Sequence, residues 1–279
     1  AAAEALDEAT TFAGGLAEAF EEARRSAADM GREFGSNVIS AIDGVANAFG
    51  DFVVHEDLSL KVRRGEILGV VGGSGTGKSV LLKSIVGLIR PDAGSITVDG
   101  IEVVGAKRKT LNEIRRNVGY VFQGGALYDS LTVGQNLAFP LEKTSRLSAA
   151  EIRERIEHYL SEVGLPDKID QMPSDLSGGQ RKRIGVARTM VTEPKYLLYD
   201  EPTTGLDPLT TRDISELIIE LKDNLGIGSI AVTHDPYCLS LIADRVAFID
   251  EGIIKFHGTI DEAMQVADPF LESFFITLK

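Results

Sequence analysis

The stretch Gly72-Gly73-Ser74-Gly75-Thr76-Gly77-Lys78-Ser79 has the spacing G-x-x-x-x-G-K-[ST] of a phosphate-binding loop. Glycines let such a loop curl until successive backbone N–H groups converge on phosphate oxygens. The helix that follows, opening with Val80, adds the positive end of its dipole. Lys78 is placed to reach the β- and γ-phosphates of a nucleotide, and the Ser79 hydroxyl to hold Mg2+. Two carboxylates, Asp200 and Glu201, close the apolar run Tyr196-Leu197-Leu198-Tyr199. Asp200 suits coordination of Mg2+, directly or through water, and Glu201 suits orientation or deprotonation of an attacking water. Gln123 ends a second apolar run, where its amide can ligate Mg2+ or that water, and His234 ends a third. Taken singly, a glutamine or an acidic pair after a strand also fits an ordinary polar turn. Ser177-Gly178-Gly179-Gln180 stands directly ahead of a helical stretch rich in Arg and Lys, and offers a hydroxyl and bare N–H groups to an anion. One chain already has its loop, so this second phosphate-recognising end points to a nucleotide held by another copy.

The elements that must position these groups alternate between strand and helix. Glu66 to Val71, Val118 to Phe122, Tyr196 to Asp200 and Ser229 to Thr233 read as buried strands, and Val80 to Ile89 as a helix. In a doubly wound α/β core such strands deliver their last residues to one carboxyl edge, where ligands bind. Asp207-Pro208 opens a further helix with Ile214, Leu217, Ile218 and Leu221 as its buried stripe and Gly226 near its end. Upstream, Val38 to Leu60 suggests short strands around a turn at Phe49-Gly50-Asp51, and Ser95 to Val104 a hairpin on Asp99-Gly100: an antiparallel layer. Phe49 could stack on an adenine or fill the core. Ser148-Ala149-Ala150-Glu151 is a capping box ahead of a helix with Ile152, Ile156, Leu160 and Val163 on one face. Residues from about 124 to 190 therefore read as a helical subdomain inserted in the core. A hairpin is expected between Val246 and Phe256, and short helices over 266–279. His158 reads as solvated, and His55 and His257 show no partner pattern.

Residues 1–36 differ in texture, being alanine-rich, acidic and free of proline. Leu6, Ala13, Phe20, Ala27 and Phe34 fall at one heptad position, and Ala9, Leu16, Ala23 and Met30 at another. That stripe predicts an amphipathic helix, bent or split at Gly14-Gly15, which packs either on its own chain or on a partner. The whole sequence has 279 residues, is 43% hydrophobic and carries a formal charge of -13. The acidic balance argues against nonspecific nucleic-acid binding and direct adhesion to an anionic membrane. Lys107-Arg108-Lys109 with Arg115-Arg116 is a local basic patch, or simply a solvated face. A single cysteine, Cys238, permits no internal disulfide framework and suits a reducing compartment. No signal peptide and no apolar run of about 18 residues is visible, so membrane contact is expected only through partners.

The ordered set from the phosphate loop through Gln123, Leu176-Ser177-Gly178-Gly179-Gln180, Asp200-Glu201, Gly205-Leu206-Asp207 and His234 resembles the nucleotide-binding subunit of an ABC transporter, over residues of about 38 to 260. The resemblance implies an α/β fold: a P-loop (RecA-like) core with an antiparallel β subdomain and an inserted helical subdomain, the whole cassette spanning 37–265. It implies two copies that sandwich two ATP molecules, each held with Mg2+ between the phosphate loop of one copy and Ser177, Gly178, Gly179 and Gln180 of the other. Phe49 falls where the family's adenine-stacking aromatic sits. Asp207 falls in the loop that communicates across the dimer, Gln123 in the loop that senses the transmembrane partner, and His234 in the switch that contacts the γ-phosphate.

More narrowly, Phe122-Gln123-Gly124-Gly125-Ala126-Leu127-Tyr128-Asp129-Ser130-Leu131-Thr132-Val133 resembles the ATPases of Mla and Mce-type lipid transporters. Gly75 to Lys83, Arg181-Lys182-Arg183 and, more weakly, Asp268-Pro269-Phe270-Leu271 agree with it. This implies an integral membrane permease and an MCE-domain protein as partners, a peripheral place on the cytoplasmic face of the inner membrane, and phospholipid or related lipid as cargo. Gly73 departs from the proline common at its position, and residues 1–36 are not part of the pattern. A nutrient-importer ATPase and a soluble ABC ATPase of iron–sulfur cluster assembly are the alternatives. A DNA-repair or chromosome-organising ATPase lacks its long coiled-coil insertion and zinc-type cysteines here.

Overall fold

The computed structural model describes residues 38–49 and 52–278. The helix expected over 1–36, and Gly50 and Asp51 of the expected turn, lie outside the described residues. Among the described residues, ten strands form one sheet in the order β5-β4-β1-β2-β10-β9-β3-β8-β7-β6. Its antiparallel end holds β1 (Val38–Phe49), β2 (Phe52–Arg63), β4 (Ala93–Val98) and β5 (Ile101–Glu102). Its parallel end holds β3 (Ile67–Val71), β6 (Val118–Val121), β7 (Tyr196–Asp200), β8 (Gly228–Val232) and β9 (Arg245–Asp250), with β10 (Ile253–Gly258) antiparallel to β9.

The parallel strands are apolar without alternation because both faces are covered. Successive residues nonetheless go to opposite sides. Leu68 and Val70 of β3, and Tyr196 and Leu198 of β7, pack with Ile42, Leu58 and Ile96 of the antiparallel layer and with Leu81 and Leu82 of α1 (Lys78–Ile85) and Ile114 of α2 (Arg108–Asn117). Leu197 and Tyr199 face a second core. That core is filled by α3 (Val133–Thr144), α4 (Ala149–Glu162), α5 (Gly178–Met190) and α6 (Pro208–Leu225). Removing either kind of side chain, as in Leu198→Ala, should cost about 2–5 kcal/mol. A third cluster joins Phe248 of β9 to Leu239 of α7 (Pro236–Ile242) and to Leu271 and Phe275 in and after α9 (Pro269–Phe274), which follows the short α8 (Ile260–Ala263).

Helix ends follow local chemistry. Ser148 and Glu151 form the capping box of α4, whose Ile156, Leu160 and Val163 are buried with Tyr159. Asp207 caps α6 ahead of Pro208, and Gly226 closes it at φ +62°. Two helices differ from the sequence expectation. The first runs Lys78–Ile85 rather than 80–89, because the end of the phosphate loop is already its first turn, with Leu81 N–H donating to the Gly77 carbonyl. It stops early because Gly87 at φ +64° closes a Schellman turn, with Leu88 N–H donating to the Lys83 carbonyl. The helix expected to start at Arg181 starts at Gly178, since Ser177 and Gln180 cap it reciprocally.

Candidate active site

Because β3, β6, β7 and β8 are mutually parallel, the residues after their last positions collect at one edge of the sheet. Gly72, Gln123, Glu201 and His234 each follow one of these strands, and all four line a single cavity of about 800 Å³. Ser74, Gly75, Gly77, Lys78, Ser79 and Val80 supply its floor. Gly75 and Gly77 hold φ of +83° and +89°, which an L side chain rarely adopts. A Cβ on Gly77 would collide with Val54 and with the ring of His55, and one on Gly72 with the Ile249 carbonyl. Thr76 closes the loop on itself by donating Oγ1 to the Gly73 carbonyl (3.0 Å).

Lys78 folds back over its own loop, with Nζ donating to the carbonyls of Gly72 and Gly73 at 2.8 Å each. Burial lowers its pKa from the ordinary value, and the charges of Glu201 and Asp200 pull it back up. Asp200 is nearly buried, and both of its oxygens are bonded: Ser79 Oγ donates to Oδ1 (3.0 Å) and the Tyr120 hydroxyl to Oδ2 (2.8 Å). Burial, then the hydrogen bond and charge of Asp200, push the Tyr120 phenol above its usual range, so it stays a donor.

Glu201 sits at φ +55°, a conformation that costs a non-glycine residue on the order of 1–2 kcal/mol. Three contacts hold it there. Its N–H donates to the Val232 carbonyl (2.9 Å), Lys182 Nζ donates to its carbonyl (3.1 Å), and the Thr204 hydroxyl donates to Oε2 (2.8 Å). His234 Nδ1 lies 2.7 Å from the same Oε2; the imidazole is largely exposed whereas the carboxylate is mostly covered. The Glu201 side chain is thus aimed into the cavity with an imidazole beside it.

Ser177, Gly178, Gly179 and Gln180 do not line this cavity among the described residues. Ser177 Oγ accepts from Gln180 N–H (3.2 Å), and Gln180 Oε1 accepts from Ser177 N–H (3.0 Å). Asp207 accepts from the N–H groups of Leu209 and Thr210. Phe49 ends β1, paired with Phe52, and the orientation expected for its ring lies outside the described side chains.

Three contributors went unread in the sequence. Tyr120 sits opposite Leu198 in a parallel pair, so its reach to Asp200 depends on a register between segments 80 residues apart. Lys182 reads as surface charge until α5 is packed beneath Glu201. Thr204, three residues after Glu201, was within local reach and the spacing alone could have suggested it.

Oxygen donors only, with one carboxylate, suit Mg2+ bound together with a nucleotide's phosphates, and the glycine cradle suits those phosphates. A family model described as ABC transporter matches residues 55–204. The chain belongs to the ABC transporter ATP-binding family. Its cassette is 42% identical over 207 residues to the methionine import ATP-binding protein MetN of Carboxydothermus hydrogenoformans, covering 74% of this chain and 61% of that relative. It is 35% identical over 241 residues to the probable ribonucleotide transport ATP-binding protein mkl of Mycobacterium bovis, covering 86% and 67%. The chain spans about six tenths of the length of the MetN relatives it matches. Among solved structures, the cassette resembles the dimeric post-hydrolysis ATP-binding cassette MJ0796 bound to ADP and Pi (TM-score 0.73, 29% identity, 79% of this chain and 98% of that one). It also resembles cbiO1 of Clostridium perfringens, part of the ABC transporter complex cbiONQ (TM-score 0.75, 28% identity, 88% and 100%). The fold is the ABC ATPase fold, and among the described residues no helix is long and apolar enough to cross a membrane.

Proposed function

We propose that the chain is the ATP-binding and ATP-hydrolysing subunit that powers an ABC transporter, acting as a pair of copies around two nucleotides. The observation that carries this reading is the convergence of Lys78, Ser79, Glu201 and His234 on one cavity, with Asp200 bonded behind it to Ser79, while Ser177 to Gln180 stays outside it. A site that lacks one of its phosphate-binding ends in a single copy is completed by a second.

In this reading Lys78 exchanges its two loop carbonyls for phosphate oxygens when ATP enters. Ser79, Asp200 and Gln123 would hold Mg2+, whose chemistry when bound is to neutralise charge on the phosphate oxygens. Glu201 takes a proton from the attacking water as the water oxygen bonds to the γ-phosphorus. The bond from that phosphorus to the β-bridging oxygen breaks, leaving ADP and phosphate. His234 holds the Glu201 carboxylate and meets the γ-phosphate. Ser177, Gly178, Gly179 and Gln180 of the other copy close the site, and Asp207 lies where the copies meet. Positioning and electrostatics supply most of the acceleration in such a transfer, so closure is an effective gate.

Two readings of the cargo have support. The resemblance of Phe122 to Val133 supports lipid transport across the cell envelope, with a permease and an MCE-domain partner. The names of the methionine-import and ribonucleotide-transport relatives support a nutrient importer. Either places the chain peripherally at the cytoplasmic face of the inner membrane through its permease. Purifying the chain from detergent-solubilised native membranes and identifying its companions decides the matter. A permease with an MCE-domain protein supports lipid transport, and a permease with a soluble binding protein supports the importer. Soluble companions alone would refute transport and leave the ATPase chemistry standing.

A further inference from the structure

Tyr120 belongs to none of the roles above, yet it is built into the centre of the site. It lies on β6 opposite Leu198, and its hydroxyl reaches past that row to Asp200 Oδ2 at 2.8 Å, while Ser79 Oγ engages Oδ1 at 3.0 Å. The two oxygens are therefore divided between an inward tether and the hydroxyl that opens on the cavity. The last torsion of an aspartate is soft, so a carboxylate held by one bond can rotate about it and a carboxylate held by two cannot. On its other side the Tyr120 ring stacks on Phe122, with centroids 4.2 Å apart and planes inclined by 28°. Phe122 is 41% exposed and directly precedes Gln123, which lines the cavity. From α5, Thr189 Oγ1 donates to the Tyr120 carbonyl, so the residue is braced by the helix that Ser177 caps.

We propose that Tyr120 is a positioning residue for the metal–nucleotide site: its hydroxyl sets the Asp200 carboxylate, and its stack on Phe122 ties that setting to the Gln123 loop. The inference rests on the reading of Asp200 as the Mg2+ carboxylate. It makes the loop that follows β6 a regulator of metal affinity. Displacing Phe122 disturbs the stack, the hydroxyl follows the ring, and Asp200 loses its second bond.

The test is equilibrium binding of a fluorescent ATP analogue to the purified full chain, titrated with Mg2+ and repeated in EDTA. Tyr120→Phe keeps the ring and removes the hydroxyl. The Mg2+ concentration for half-maximal tightening should rise about tenfold, in line with the loss of groups that orient a metal ligand. Affinity in EDTA should match wild type. Phe122→Ala keeps the hydroxyl and removes the stack, and should raise the Mg2+ requirement in the same direction by about threefold. Thermal melts of both variants establish that they fold. A wild-type Mg2+ requirement in folded Tyr120→Phe overturns the proposal. So does an equal loss of affinity with and without Mg2+, which marks a merely structural role. A wild-type requirement in Phe122→Ala overturns the coupling to the loop. If the wild-type chain itself shows no Mg2+-dependent binding, the underlying reading of Asp200 fails instead.

Discussion

The ring of His55, packed against the phosphate loop, should make the fold lose stability as pH falls from 6.5 toward 4. It is fully buried on β2, its Nδ1 lies 3.0 Å from Asn47 Nδ2, and its Nε2 faces Gly77 at the start of α1. Burial lowers its pKa from 6.5 to about 4, and the neighbouring Gly77 backbone offsets part of that shift. The sign follows from the order of these values. Below pH 6.5 the unfolded chain binds a proton that the folded chain refuses, so stability falls as pH falls, until the folded ring also protonates near pH 4. At pH 7.5 both states carry a neutral ring and the effect is absent. At pH 5 the unfolded chain is favoured by roughly 2 kcal/mol through this residue, approaching about 3 kcal/mol at pH 4. Urea unfolding of wild type and His55→Gln at pH 7.5 and pH 5 measures it, because subtracting the variant's pH dependence removes the contribution of every other titrating group. Equal pH dependence in the two proteins would show that the ring protonates freely and that the packing against Gly77 is loose.

Three further outcomes follow from the site. Lys78→Ala should abolish ATP hydrolysis and weaken nucleotide binding at least tenfold, since it removes the cation that reaches the phosphates; steady-state turnover in that variant would contradict its place in the loop. Glu201→Gln should retain ATP binding but accumulate an ATP-dependent dimer in size-exclusion chromatography, because the water loses its base while the composite site persists; normal hydrolysis would remove Glu201 from the mechanism. Gly77→Ala should destabilise the chain by roughly 3 kcal/mol and impair nucleotide binding, combining a left-handed backbone with collisions on Val54 and His55; an unchanged urea midpoint would show that the loop yields more readily than its packing implies.

The parts of the molecule most readable from sequence were those in which local rules and burial agree. Leu68 and Val70 of β3 had to face one core and Ile67 another, so an uninterrupted apolar run could only be a strand covered on both sides. The Ser148–Glu151 box and the Asp207-Pro208 start announced their helices because the caps act within three residues. What stayed hidden depends on register and on distant packing. Tyr120 and Asp200 meet only because Tyr120 pairs with Leu198, and His55 touches Gly77 only because the antiparallel layer folds against the loop. A buried histidine with no partner pattern in sequence carried no signal, although its neighbour Val54 lines the cavity. The end of α1 is obscured for a local reason: Gly87 offers a stop, but the apolar residues beyond it, Leu88 and Ile89, extend the apparent stripe.

Packing inside one copy constrains how a closed pair of copies would be sensed. A Cβ on Gly179 would strike the Thr210 methyl, so the first turn of α5 rests directly on the first turn of α6. Thr210 is held in turn by Asp207, which accepts its N–H at 3.0 Å and its hydroxyl at 2.6 Å. The two segments proposed to meet the other copy, Ser177 to Gln180 and the loop at Asp207, therefore form one packed unit, not two independent surfaces. One turn further along α5, Lys182 grips the carbonyl of Glu201 in its left-handed conformation. A displacement of α5 imposed from outside reaches Glu201, the residue proposed as general base, through the Lys182 hydrogen bond. Gly185 of α5 packs against Gly125, two residues beyond Gln123, with no room for a side chain between them. The helix that Ser177 caps thus touches the Asp207 turn, the Glu201 backbone and the Gln123 loop. In the proposed two-copy site, one rigid element would tie closure at Ser177 to Gln180 to the position of Glu201.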